Sequence, residues 1–315
     1  MAESRYPLLP GTGRGRALGA TVALALLPAI YFGVVPAFMH RIDDDVTFAP
    51  ASVPSGASRA VAVAAALVER EIDRNGWVAN DPFFYPTAIL DNMPNYQTGI
   101  VAAVSRFVLE MGDQIGRTRG SSQVDADLEK AAGLLKYPGT VWIFDTRTSW
   151  LPTTPAEDQY RAARKALESY NQRLSEGRAV FDRRADNLLG TLERVAADLG
   201  SVSAALDTRI AERGWLAVDF ESDNLFYGTK GRLYAYLLIL RALRADFETV
   251  VRDRETGAAW DQMLRSLEEG ATMSPAVVLN GAPDGIVAPN HIAAIGFYLL
   301  RARTQLREIT TILQK

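Results

Sequence analysis

The feature that most constrains the fold is a stripe of apolar and small side chains that runs from Tyr160 to Ile210. Its members are spaced three and four residues apart almost throughout, which is the period of one face of an α-helix. Over this length the pattern is typical of a coiled-coil-like helix. It predicts a helix over residues 154–213, with Gly177 and residues 199–201 as the places where it could break. The stripe consists of Tyr160, Ala163, Leu167, Tyr170, Leu174, Gly177, Phe181, Ala185, Leu188, Leu192, Val195, Leu199, Val202, Leu206 and Ile210.

Helix signals elsewhere in the chain predict the same class of structure. Thr154 and Pro155 stand where a helix N-cap and first helical residue are expected, and Glu157 follows the cap at the third position. Ser58 likewise precedes an alanine-rich helical stretch. Residues 140–144 are a lone, short strand candidate, which is weak evidence for a sheet. The sequence therefore predicts an all-α protein, with further helices that begin near residues 96, 122 and 291.

The stretches on either side of the long helix, residues 59–153 and 214–315, carry similar markers in the same order. The loops between the markers differ by a few residues, and an apolar helix follows the aromatic marker in both stretches. This order predicts two related helical units joined by the long helix. The paired markers are Gly76-Trp77 with Gly214-Trp215, residues 81–85 with 223–227, and residues 124–128 with 260–264.

Residues 17–39 form a stretch without a single charged side chain. As a helix that rises about 1.5 Å per residue, the stretch would just cross a hydrocarbon layer about 30 Å thick. Arg14 and Arg16 precede it and residues 43–45 after it are all aspartate, so the positive-inside rule predicts a periplasmic body and an inner-membrane location in a bacterium. The expected segments are a cytoplasmic N-terminus over 1–16, a transmembrane helix over 17–39 and a linker over 40–58.

A cleaved secretory signal is the alternative interpretation of this segment. The apolar core of a signal peptide is about 7 to 15 residues long and ends at a site with small residues. The stretch here is longer, and residues 36–39 offer no such site, so an uncleaved anchor is favoured. Small residues at every fourth position also form a ridge that would let two membrane helices approach closely. The ridge residues expected to pack are Ala25, Ala29, Gly33 and Ala37.

Composition excludes several classes of function. The 34 basic and 37 acidic residues give a net charge of -3, which leaves no clustered basic face for nucleic acid. The absence of cysteine excludes disulfides, thiol nucleophiles and thiolate metal sites. The only two histidines are His40 and His291, and the sequence supplies no partners for a catalytic triad. We therefore expect no metal, no cofactor and no nucleic-acid partner, and a non-enzymatic protein is favoured.

Two loops rich in Asn, Asp, Pro and Gly are the candidate binding surfaces. The first spans residues 81–96 and is dense in aromatic side chains, and the second spans residues 280–290. These residue types fix turns and orient side chains. The aromatic side chains either form a binding surface or fill the core beneath the loop, and the second is favoured for large aromatics. The candidate residues are Phe83, Phe84, Tyr85, Asn92, Asn95, Tyr96, Asp284, Asn290 and His291.

The motifs GW…DPFFYP…LDNMPNYQ, YPGTVWIFD and PNH…GFYLLRART resemble a bacterial family catalogued as domain of unknown function 2333, from about residue 17 to the C-terminus. The resemblance implies a membrane-anchored envelope protein and assigns no site residues. We expect a non-enzymatic scaffold or assembly partner, bound to the bilayer through its N-terminal helix and to a partner protein or a second copy of itself. The alternatives are a periplasmic binding module for a small or lipidic ligand and, less favoured, an envelope glycan hydrolase with carboxylates about 5 to 10 Å apart.

Overall fold

The computed structural model describes residues 13–36, 42–114, 124–145, 149–212, 220–282 and 289–315. Across these ranges the chain forms ten α-helices and no extended β-strand, which confirms the all-α class. Residues 140–144, the strand candidate, are a loop. The helices are α1 (Gly13–Ala29), α2 (Arg59–Glu69), α3 (Asn92–Gln114), α4 (Ala126–Leu135), α5 (Ala156–Ser175), α6 (Ala185–Ala211), α7 (Phe220–Asp246), α8 (Glu248–Asp253), α9 (Gly257–Ala271) and α10 (His291–Leu313). Two π-helical turns, Ile30–Val34 and Arg70–Arg74, continue α1 and α2, and a 3₁₀ turn covers Pro86–Ile89.

The long helix predicted over residues 154–213 is instead two helices, α5 and α6. The chain leaves α5 at Gly177, whose φ of 70° lies in the left-handed region that favours glycine. The amide of Arg178 donates to the carbonyl of Arg173 at 2.8 Å, as in a Schellman cap. Residues 199–201, the other expected break, lie inside α6. The apolar stripe is buried on both helices, so it covers the core without being one continuous helix.

Eight of the helices form two halves with the same internal packing. The first half consists of α2, α3, α4 and α5, and the second of α6, α7, α9 and α10. In each half the first helix packs on the fourth, the second on the third, and the third on the fourth. Between the halves, α3 packs along α7, α2 contacts α7 and α6 contacts α3. Exchanging the halves preserves all of these contacts, so the body has a pseudo-two-fold arrangement centred on the α3–α7 pair.

Glycines let α3 and α7 cross with their backbones in contact. A Cβ added to Gly99 would lie 3.0 Å from the carbonyl carbon of Gly228. One added to Gly231 would lie 2.9 Å from the carbonyl carbon of Tyr96. Real side chains do not approach a backbone so closely, so both crossing points require glycine. Gly99 and Gly231 therefore occupy equivalent positions in the two halves. Tyr96 and Gly228, which each precede their glycine by the same number of residues, are equivalent as well. These pairs define which residue of α3 corresponds to which residue of α7.

This register corrects the correspondence expected from the sequence. It matches Asp91-Asn92 at the start of α3 with Asp223-Asn224 at the start of α7. The correspondence of residues 81–85 with residues 223–227, which the sequence predicts, is therefore wrong. The connection before α3 is longer than the one before α7, and it carries an aromatic cluster of its own that mimics the Phe-Tyr pair of α7.

The N-terminal segment is helical where it is described, with α1 followed by the π-helical turn Ile30–Val34. None of the described helices, α1 included, combines the length and the apolar character that crossing a membrane requires. The transmembrane helix expected over residues 17–39 therefore has no support from these helices. Three of the four ridge residues expected to pack lie in this segment, and Ala37 lies outside the described residues.

Candidate functional site

An exposed aromatic surface is formed by two loops, residues 83–89 before α3 and the described residues 142–145 and 149–151 before α5. The side chains of Phe83 and Trp150 are 86% and 90% exposed. Phe84 joins the loops, because its ring centroid lies 5.9 Å from that of Trp142 in an edge-on contact. The candidate residues Phe83, Phe84 and Tyr85 thus lie together at the surface and do not fill the core. The exposed apolar side chains of this aromatic surface are Phe83, Phe84, Tyr85, Ile89, Ile143, Phe144, Trp150 and Leu151.

Hydrogen bonds beneath the aromatic surface hold its two loops together. The buried side chain of Asn80 donates to the carbonyl of Val141 at 2.9 Å and to the carboxylate of Glu157 at 2.7 Å. The indole of Trp77 donates to the carbonyl of Gly139 at 2.8 Å. These bonds join the connection before α3 to the connection before α5. The exposed rings are therefore carried by two loops that these hydrogen bonds hold in place.

The aromatic surface is continuous with the N-terminal segment. The π-helical turn Ile30–Val34 packs against the 3₁₀ turn Pro86–Ile89, which lies at the edge of the aromatic surface. The N-terminal segment itself exposes large apolar side chains, with Leu24 72% and Leu27 64% exposed. Contiguous exposed apolar side chains of this kind are typical of interaction faces.

On the same body, an acidic strap of residues 42–48 meets two buried cations. Arg70 and Lys230 are 2% and 1% exposed. The ammonium of Lys230 lies 2.7 Å from a carboxylate oxygen of Asp44, and the guanidinium of Arg70 lies 3.6 Å from one of Asp43. A buried cation is costly unless it is paired. The acidic strap supplies the missing negative charge, and so it is part of the folded body.

Buried tyrosines also bind the backbone of the acidic strap. The hydroxyl of Tyr96 donates to the carbonyl of Asp43 at 2.8 Å, and that of Tyr234 donates to the carbonyl of Asp45 at 2.7 Å. Tyr96, a candidate binding residue, is completely buried under the acidic strap and is structural. The linker expected over residues 40–58 is therefore docked against the helices in its first described part.

The buried carboxylate of Glu71 completes this charge network. The Nε of Arg70 donates to Glu71 at 2.8 Å. Burial raises the pKa of Glu71, and the adjacent guanidinium only partly offsets that effect. Burial alone would lower the pKa of Arg70, but Glu71 and Tyr234 more than compensate, so this pKa lies above its ordinary value. Burial also raises the pKa of Tyr234 to about 12. The network holds Arg70 charged.

Two Asp-Asn pairs meet where α3 and α7 begin. The amide of Asn95 donates to the side-chain oxygen of Asn224 at 2.7 Å. With its amide turned to satisfy both partners, Asn92 donates to the carboxylate of Asp91 at 3.1 Å and also to that of Asp223. Asn92 and Asn95 therefore join the two halves of the body. Among the described residues, no group of three or more His, Asp or Glu side chains is placed to hold a metal ion.

The second candidate loop fixes the start of α10. The side chain of Asn290 caps this helix and donates to the side-chain oxygen of Asn280 at 3.0 Å. The Nδ1 of His291 accepts a hydrogen bond from the amide of Leu279 at 2.9 Å, and burial lowers the pKa of this histidine. These contacts make Asn290 and His291 structural residues. Asp284 lies outside the described residues.

A cleft of about 730 Å³ opens where α6 packs on α3 and α7. Its lining includes Arg232, whose Nη1 donates to both carboxylate oxygens of Asp198 at 2.9 and 3.0 Å. A second pocket of about 370 Å³ shares this ion pair and also shares Thr98 and Ala102. The name cleft is kept for the first of these two pockets, between α6, α3 and α7.

The acidic strap, its two cations and the cleft were not found by sequence analysis. A sequence signal was present for Lys230, which stands between Thr229 and Gly231 in a mostly small and apolar stretch, but not for Arg70, whose neighbours in sequence are charged. A charge on a core-facing stripe must be paired. The three aspartates at residues 43–45 were the available partners, although in the sequence they indicate only the orientation of the chain on a membrane. The cleft has no sequence signal, since its lining comes from three helices.

Comparison with known families agrees with the resemblance of the motifs. The family model described as uncharacterised protein conserved in bacteria (DUF2333) matches residues 14–219 and 210–315. No curated protein and no solved structure shows a significant match to the chain. The family model covers the aromatic surface, the acidic strap and both halves of the body. The chain therefore belongs to the bacterial DUF2333 family.

Proposed function

We propose that this protein is a non-enzymatic assembly partner of the bacterial envelope, anchored in the inner membrane by its N-terminal segment. The body lies in the periplasm, with its aromatic surface against the bilayer. The single observation that carries the proposal is the continuity of exposed apolar area from α1 through the turn Ile30–Val34 to the two aromatic loops. Tryptophan and tyrosine side chains favour the membrane interface, where an apolar ring and a polar edge are both accommodated.

The acidic strap supports this proposal. It begins within a few residues of the N-terminal segment, and it is bound to the centre of the body through Arg70 and Lys230. A free linker would let the body move away from its anchor. A docked strap keeps the aromatic surface beside the point where the chain would leave the membrane, which is what a fixed orientation on a bilayer requires.

Reporter fusions test the orientation. A C-terminal fusion to a reporter that is active only after export should be active in bacterial cells, and a fusion to a cytoplasmic reporter should be inactive. The protein should remain in the membrane fraction after carbonate extraction, because a spanning helix is not removed by high pH. Cytoplasmic reporter activity at residue 315, or a mature N-terminus near residue 40, would overturn the proposal.

Substitution of ionisable side chains separates an assembly partner from an enzyme. Removal of a general acid or base typically lowers a rate by about 10²- to 10⁴-fold, whereas an interface depends more on its aromatic anchors. We expect Phe84→Ala to impair complementation of a deletion strain, and isosteric replacements to leave it largely intact. The replacements are Asp81→Asn, Asp223→Asn, Asp284→Asn and His291→Gln. Loss of complementation by any one of them at normal protein level would favour an enzyme.

A further inference from the structure

The cleft and the groove that holds the acidic strap are equivalent under the pseudo-two-fold arrangement. The strap is held on α7 by Lys230 and Tyr234, and on α3 by Tyr96. In the register set by the paired glycines, Lys230 and Tyr234 correspond to Thr98 and Ala102, which both line the cleft. Tyr96 corresponds to Gly228, which also lines it. One side of the α3–α7 pair therefore binds a non-helical segment of the chain, and the other side presents the matching groove.

The two grooves differ in the size of the side chains at equivalent positions. On the strap side, the long side chains of Tyr96, Lys230 and Tyr234 hold the strap. On the cleft side, their positions are taken by Thr98, Ala102 and Gly228, so this part of the cleft floor is made of small residues. A segment bound there would have room to place large side chains against the floor.

The polar groups of the cleft suit a peptide. Arg232 uses Nη1 for Asp198, and its other side-chain nitrogens donate to no side chain or carbonyl in the described parts of the chain. Side-chain amides at the start of α3 and α7 stand at one end of the cleft.

We propose that the cleft binds a non-helical segment of a partner polypeptide. The segment carries large apolar side chains toward the floor and a backbone carbonyl opposite Arg232, whose charge is already paired with Asp198. A polypeptide is favoured over a lipid because the equivalent groove already holds a non-helical stretch of this chain, and because the cleft combines an apolar floor with amide and guanidinium groups that match a peptide backbone. The segment would be the contact through which the anchored protein recruits its partner.

The test begins with selection of random 12-residue linear peptides, displayed on phage, against the full-length protein in detergent micelles. Ser201 and Ala205 are exposed residues of α6 that line the cleft, so Ala205→Trp fills the cleft without entering the core. Ala204 is an exposed neighbour on α6 that does not line it, and Ala204→Trp is the matched control. The affinity of each selected synthetic peptide is then measured by fluorescence anisotropy with all three proteins.

We expect selected peptides to be rich in aromatic or large aliphatic residues, which suit the small-residue floor of the cleft. Ala205→Trp should weaken their binding by about tenfold or more, and Ala204→Trp by less than about twofold. Peptides that bind Ala205→Trp as well as the wild type would overturn the proposal. So would a lipid that copurifies with the wild type and is lost only from Ala205→Trp, since the cleft would then hold a lipid.

Discussion

Replacing Gly231 by alanine should separate the two central helices of the body. The added Cβ would lie 2.9 Å from the carbonyl carbon of Tyr96 and 3.2 Å from the amide nitrogen of Ile100. Carbon atoms prefer a separation of about 3.5 to 4.0 Å. Both obstructing groups belong to the backbone of α3, so no change of rotamer relieves the clash, and α7 must move away along its longest interface.

The magnitude follows from two opposing effects. Overpacking of a well-packed core costs about 1–3 kcal/mol, and occasionally more. Alanine in a helix interior is favoured over glycine by about 1 kcal/mol, which offsets part of that cost. Because the clash is between backbones, we expect a net loss of about 2 kcal/mol of unfolding free energy. A loss of this size lowers the melting temperature by about 4 to 8 °C in a domain of this order of size.

The matched control is Gly133→Ala. Gly133 is an exposed residue of α4, and a Cβ there would meet nothing within 4 Å. Only the helix preference remains, so the control should raise the unfolding free energy by about 0.5–1 kcal/mol. Both variants are compared by thermal and urea unfolding in detergent, followed by circular dichroism at 222 nm. If Gly231→Ala were as stable as Gly133→Ala, the backbones of α3 and α7 would not be in contact, and the register that relates the two halves would be wrong.

Three further predictions concern the strap, the stripe and the second loop. Asp44→Asn should lower the unfolding free energy by about 2 kcal/mol, because it leaves the buried Lys230 without its charged partner, although part of Asp44 faces solvent. The control is Glu129→Gln at an exposed position, which should change the unfolding free energy by less than about 0.5 kcal/mol in the same urea titration. Replacing Leu188 and Leu192 together by Asp should cost several kcal/mol, since both are fully buried, and unchanged stability would show that α6 is exposed. Burial lowers the pKa of His291 from its ordinary value near 6.5, so the neutral side chain stabilises the fold above that pH and the contribution is lost as the pH falls below it. Between pH 7.5 and 5.5 the unfolding free energy of the wild type should therefore fall more than that of His291→Gln. Equal losses would contradict this.

Local sequence rules predicted two of the helix starts correctly, but the cap expected at Thr154 was wrong, because α5 begins at Ala156 after Pro155 with no side-chain cap. Ser58 accepts a hydrogen bond from the amide of Val61 as the cap of α2, and Asn290 caps α10. The burial of the stripe also followed from its period. Its continuity did not, because a period of three and four residues continues across the break at Gly177 by chance. The glycine there was identified as a weak point, but the choice between Gly177 and residues 199–201 depends on which helices the two segments pack against.

The candidate site was harder to predict, because burial decides what each residue does. Phe84 and Tyr96 belong to the same aromatic stretch, yet Phe84 is 46% exposed and Tyr96 is fully buried. The preference of large aromatics for the core was therefore right for Tyr96 and wrong for Phe84. The pairing of Lys230 with Asp44 joins residues far apart in sequence, and neither residue reveals its partner. Such contacts are set by the crossing of α3 and α7.

The most direct test of the proposed function is the depth of the aromatic surface in a bilayer. Since the chain has no cysteine, single spin labels can be attached at Trp150→Cys on the aromatic surface and at Arg252→Cys, an exposed charged position on α8. The full-length protein is reconstituted in lipid bilayers, and power-saturation electron paramagnetic resonance compares the access of oxygen and of a water-soluble nickel chelate to each label. The proposed function requires the label at residue 150 to favour oxygen and the label at residue 252 to favour nickel. Equal, high nickel access at both positions would contradict it, because the aromatic surface would then face water.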